Sequence, residues 1–143
     1  MDLEGPESGI AAMRHEMPPA VEALPALLDE VEAFGEAAGL PPRPTQHLAL
    51  VVEELAANVA MHAAGATRLL VEVRLANGAL HLLVEDDGPA FNPLSATPPV
   101  LDAGVEERDI GGLGVHFVRT LTRQAAYERR DSLNRLTALL DAG

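Results

Sequence analysis

Glu54, Asn58 and His62 stand four residues apart in Glu53-Glu54-Leu55-Ala56-Ala57-Asn58-Val59-Ala60-Met61-His62. On a helix that spacing stacks them along one edge. With Leu48 set to zero and about 100° per residue, Val52, Leu55 and Val59 fall within about 40° of it and form a buried stripe. His62, Asn58 and Glu54 fall at about −40°, −80° and −120°, a polar ramp beside that stripe, while Glu53 falls near about +140°, in solvent. Asn is a poor mid-helix residue because its side chain competes for the backbone. In this place it offers an amide oxygen to a hard cation, Mg²⁺ being the natural one, with Glu54 as a neighbouring general base. The same pair also reads as a surface Asn beside a surface Glu, and His62 as a packing histidine. None of His15, His47, His62, His81 and His116 has zinc-site spacing.

Two further groups carry chemistry. The Asn77-Gly78 turn sets a hairpin register in which Leu69 faces Asp86, so Asp86 points to the side of Leu80, Leu82 and Val84. A carboxylate on that apolar side needs a donor. The protein can supply one, or a ligand amine such as the exocyclic amine of adenine can. Gly88 follows at the strand end, where it permits close backbone approach or a positive φ. Gly111-Gly112-Leu113-Gly114 then opens a helix, and exposed N–H groups at such a start form an anion site suited to phosphate. Arg108, three residues upstream, can add positive charge there.

The elements that must position these groups follow from periodicity. Residues 13–17 read as a short edge strand before Pro18-Pro19. Val21, Leu24, Leu27, Leu28, Val31 and Phe34 recur at helical spacing and predict a helix over 20–38, stopped by Gly39. After Pro41-Pro42-Arg43-Pro44, Thr45 is expected to cap a second helix running to about Ala64, with Gly65 as its stop. Alternation predicts strands over 69–75 and 80–86. The pattern then fails until Gly111 across a Pro-, Gly- and acid-rich stretch, which reads as a lid over 91–110. A short helix over 112–123 and strands over 124–130 and 133–140 complete the chain. Helices on one face of a mainly antiparallel sheet fit this order better than a doubly wound parallel fold.

Composition narrows the function. The chain has 143 residues, a size suited to one domain over 13–143 after a flexible segment 1–12. There is no Cys, which removes disulfides and thiolate chemistry. All ten basic residues are Arg, so a Walker A loop, a Schiff-base lysine and the strand lysine of the eukaryotic-type protein kinase are excluded. A net charge of −12 argues against nucleic-acid binding and fits a basic protein partner. Neither a membrane span nor a secretory leader is expected, and a cytoplasmic location is the expectation. His15 is not read as a phosphoacceptor, since 14 preceding residues leave no room for a dimerisation helix pair.

Glu54-x-x-x-Asn58 on a helix, Asp86-x-Gly88 at a strand end, then a lid and Gly112-x-Gly114 resemble the N, G1 and G2 boxes of the gyrase, histidine-kinase and MutL ATPase superfamily. From about Met13 to Leu140 the chain looks like the small stand-alone RsbW-like anti-sigma-factor serine-protein kinases. The resemblance implies an α+β two-layer sandwich, a mainly antiparallel mixed sheet with three helices on one face (the Bergerat-type ATP-binding fold). It implies ATP and Mg²⁺ as cofactors. Asn58 would bind Mg²⁺, Asp86 would accept from the adenine amine, and Gly88 and Ala90 would line the base. Gly112, Leu113 and Gly114 would serve the phosphates, and Glu54 would take the proton from a substrate serine, with Arg108 assisting. Ala90 stands where the superfamily has a second G1 glycine, and Asn134-Arg135 where Gly-Thr is usual, Thr137 being displaced.

The function so implied is an ATP-dependent serine-protein kinase and anti-sigma factor that regulates transcription by partner switching. Its partners would be a small anti-sigma-factor antagonist and a sigma factor, without direct nucleic-acid or membrane contact, and a homodimer is compatible. The alternative is a nucleotide-gated protein-binding module without phosphoryl transfer. Glu54 favours the kinase, because holding Mg-ATP requires Asn58 and Asp86 but no base.

Overall fold

The computed structural model describes residues 11–95 and 117–143. Strands β2 (Leu69–Ala76) and β3 (Ala79–Asp86) flank Asn77 and Gly78, whose φ values of 56° and 75° are those of a type I′ turn. The expected register holds: Leu75 pairs with Leu80, Val73 with Leu82, Val71 with Val84 and Leu69 with Asp86. A second tight turn, at Asp131 and Ser132 with φ of 53° and 67°, joins β4 (Gln124–Arg130) to β5 (Leu133–Asp141). Strand β1 (Ala12–Met17) pairs with β2 at one edge, and the sheet order is β1-β2-β3-β5-β4. The α+β two-layer architecture is as expected, but every ladder among the described strands is antiparallel, so the mixed character is not found among them.

The first helix begins later than its periodicity suggests. Val21–Ala23 form a 3-10 turn, and α1 runs Leu24–Ala37. Its end is a Schellman motif. Gly39, at φ 73°, donates its N–H to Glu36 O at 3.1 Å, and Leu40 donates to Gly35 O at 2.9 Å. Gly35 also brings the helices together, because a Cβ there would lie 2.7 Å from Thr45 Cγ2.

Helix α2 runs Pro42–His62 and starts three residues before the expected cap. Thr45 therefore does not cap it; its hydroxyl donates back to Pro41 O at 3.3 Å. The physical reason is the proline run. Pro42 and Pro44 have no N–H, so the first turn has fewer orphan donors for a capping side chain to satisfy. The helix ends at His62, short of Ala64, while Gly65 takes φ 90° in the connection. Residues 117–121 are helical, so the helix ends two residues before the expected 123, and the expected 112–116 lie outside the described residues.

The core fills the space between the helices and one face of the sheet. Leu27, Val31, Leu48, Val51 and Val52 meet Leu69, Val71, Val73, Leu80 and Leu140, with Val118 added from 117–121. Each such side chain contributes about 1.5–3 kcal/mol on burial. On the opposite sheet face, buried Glu85 is held by Arg135 and by Arg68 at 3.4 Å, and Arg68 also meets Glu16 at 2.7 Å. A buried charge needs such partners. They anchor the strand end that carries Asp86.

Candidate functional site

Helix α2 lies across the sheet with Glu54 and Asn58 buried, while Glu53 is partly exposed. The two adjacent glutamates are thus separated, as the helical angles require. Glu54 is deeper than the expected edge position, and Ala56 and Ala57 are buried as well. Asn58 Nδ2 is buried and has no hydrogen-bond partner among the described residues. His62 is exposed at the helix end, not packed.

Asn58 and Asp86 line one small cavity of about 30 Å³, with Leu55, Val59, Val84, Leu136, Phe91 and Tyr127 around them. That is about the space of one water, and Phe91, which lines it, is 45% exposed. Glu54 lies one helical turn before Asn58 and does not line the cavity. Arg108, Gly112, Leu113 and Gly114 lie outside the described residues.

Asp86 is buried, and its donors are protein groups. Gly88 N–H donates to Oδ1 at 2.8 Å and Asn134 Nδ2 donates to the same oxygen at 3.1 Å. Among the described residues no hydrogen bond falls on Oδ2. Gly88 does not take a positive φ. It is needed for close approach: a Cβ would lie 3.0 Å from both Asp86 Oδ1 and Ala63 Cβ. Ala90 is exposed, and its φ is not positive either, so glycine is not required there.

Periodicity alone left several contributors unassigned. Asn134 faces Asp86 directly in the β3–β5 ladder. Its Nδ2 also donates to Pro89 O at 2.8 Å, and its Oδ1 accepts from Tyr127 O–H at 2.6 Å and from Phe91 N–H at 3.2 Å. Arg129 donates to Gly88 O at 2.8 Å and to Asn134 Oδ1 at 3.2 Å. The available signal was the alternation of β5, in which Asn134 falls on the same face as Leu136, Ala138 and Leu140. Asp87 points the other way and ties the end of β3 to the loop after α2. It accepts from Thr67 N–H at 2.7 Å, from the Thr67 hydroxyl and from Arg68 N–H at 3.1 Å. The Thr67 hydroxyl above all, then the Thr67 N–H, hold its pKa down to about 2 against the ordinary 3.8.

A carboxylate oxygen and an amide side chain, brought from two layers, meet at one apolar cavity, with the buried Glu54 carboxylate one helical turn away. Among the described residues no group of three or more His, Asp or Glu is close enough to cage a metal. Asn58 could offer one side-chain oxygen to a cation here, and Mg²⁺ ordinarily keeps several of its positions for water and phosphate. Among the described residues no helix is long and apolar enough to cross a membrane.

A family model described as the histidine kinase-like ATPase domain matches residues 17–140. The serine/threonine-protein kinase BtrW of Bordetella bronchiseptica is 28% identical over 93 residues, which are 63% of this chain and 66% of that protein. The match thus spans just under two thirds of that relative. Among solved structures, the RsbU and RsbW domains of a Mycobacterium tuberculosis protein superpose with a TM-score of 0.67 at 12% identity, over 91% of this chain and 32% of that one. A blue-light activated histidine kinase of Erythrobacter litoralis gives 0.55 at 16% identity, over 88% and 42%. At these identities the structural likenesses speak for the fold.

Proposed function

The chain belongs to the histidine kinase-like ATPase domain family, and from that premise we propose that it is a Mg-ATP-binding serine-protein kinase of the partner-switching, RsbW-like kind. The carrying observation is the meeting of Asn58 and Asp86 at one cavity from separate layers, with Gly88 packed against Asp86. The similarity to BtrW, named a serine/threonine-protein kinase, supports the activity.

In this reading Asn58 holds Mg²⁺ through its side-chain oxygen, and Asp86 accepts from the exocyclic amine of the base. Mg-ATP, when bound, supplies the transferable γ-phosphoryl group and neutralises charge on it. Glu54 takes the proton from an incoming serine hydroxyl. Arg108 and the Gly112-Leu113-Gly114 run are assigned to the phosphates by sequence. The acceptor is a small antagonist protein, with a sigma factor as the alternate partner.

The test is calorimetry of ATP with and without Mg²⁺, followed by transfer from γ-labelled ATP to the antagonist protein encoded by the same genome. Mg-dependent binding and labelled acceptor are expected. Binding without transfer to any cognate acceptor would replace the kinase by a nucleotide-gated binding module.

A further inference from the structure

Asn134 occupies the position where the family resemblance leads one to expect Gly-Thr, and its hydrogen bonds say what it does there. Both its N–H donors are committed, one to Asp86 Oδ1 at 3.1 Å and one to Pro89 O at 2.8 Å. Its Oδ1 is committed to Tyr127 O–H, Phe91 N–H and Arg129. Buried and saturated, Asn134 has no bond left to offer a ligand.

Two consequences follow. The first concerns Asp86. Gly88 N–H and Asn134 Nδ2 both fall on Oδ1, so the carboxylate is fixed in rotation and the second oxygen remains as the acceptor of the site. The second concerns the loop. The amide of Asn134 clasps the backbone on both sides of Ala90, taking Pro89 O before it and Phe91 N–H after it. The two departures from the family pattern, Ala90 and Asn134, are therefore parts of one arrangement.

We propose that Asn134 is a positioning residue that sets base selectivity. By clasping residues 89–91 and orienting Asp86, it presents an acceptor to a purine bearing an amine and opposes one bearing a carbonyl at that edge. This rests on the nucleotide reading of the site. A site built around an acceptor rejects the analogue that lacks the matching donor, because a buried polar group is left unpaired.

The experiment measures dissociation constants of Mg-ATP and Mg-ITP by calorimetry on the full chain, ITP carrying a carbonyl in place of the amine. The wild type is expected to prefer ATP by tenfold or more. Asn134→Leu should bring the ATP:ITP ratio to within about threefold of unity, and Asn134→Thr, which keeps an O–H for Asp86, should restore most of it. Should the leucine variant fail to fold, Asn134→Ala serves. It removes the donor to Asp86 without adding a charge or bulk beside it, so the ratio should collapse likewise. A merely structural role would weaken both nucleotides in parallel. An unchanged ratio in the folded variants, or a parallel loss, overturns the assignment of Asn134 while the nucleotide reading stands. A wild type that binds neither nucleotide removes that reading and this inference together.

Discussion

Asn58 on α2 and Asp86 at the end of β3 reach the same cavity from opposite layers of the sandwich. Neither element can form the site alone. The helix contributes an amide beside its apolar stripe, and the sheet contributes a carboxylate on its covered face. If Asp86 marks the base end of a nucleotide site, removing its carboxylate should be felt directly. Asp86→Ala should weaken Mg-ATP binding by on the order of 1.5–3 kcal/mol, the range for a hydrogen bond to a charged group. Calorimetry checks this, and unchanged affinity would end the adenine assignment.

The separation of Glu54 from Glu53 makes the second prediction. Glu54 is 9% exposed on the helix turn before Asn58, and Glu53 is partly exposed. Glu54→Gln should keep ATP affinity within about tenfold, or 1.4 kcal/mol. It should slow transfer to the acceptor about 10²–10⁴-fold, as loss of a general base does. Glu53→Gln should change neither. Radiolabel transfer at saturating ATP decides it, and equal rates for the two variants would count against Glu54 as base.

Asp87 gives a pH prediction with a definite sign. Its pKa is lowered from 3.8 to about 2 by the Thr67 hydroxyl first. The stability it contributes is fully present above about pH 3.8 and is lost as the pH falls through about 2. Thr67→Val removes the hydroxyl bond and lets the pKa rise. The melting-temperature gap between wild type and variant should be constant above about pH 4 and close toward pH 2. A gap independent of pH over that window would show that the hydroxyl acts by packing alone.

Gly88 and Ala90 should respond unequally to substitution. At Gly88 a Cβ would sit 3.0 Å from Asp86 Oδ1, so Gly88→Ala must shift either the loop or the carboxylate. Overpacking of this kind costs about 1–3 kcal/mol in stability, and ATP binding should weaken with it. Ala90→Gly relieves nothing, because Ala90 is exposed and not at positive φ. It should cost only the chain entropy, about 0.4–1 kcal/mol. Urea denaturation of the two variants compares them. A larger loss at Ala90 than at Gly88 would contradict the close-approach reading.

Much of this was legible in the amino-acid sequence because it is local. Asn77-Gly78 admits one hairpin geometry, and a register set at the turn carries Asp86 to the core face eight residues later. Helical angles separate Glu54 from Glu53 without reference to any other element. The same alternation that placed Asp86 also places Asn134 inward on β5. What periodicity does not encode is what packs onto a face. Glu54 is buried although its helical angle sets it at the edge of the stripe, while His62 at the end of α2 is in solvent. The proline run began α2 ahead of Thr45, because residues without N–H groups need no cap. The pairing of Asp86 with Asn134 joins strands separated by a long connection, and no turn between them fixes their register. Only the assembled sheet set those two side chains opposite each other and so decided how the carboxylate of the site is held.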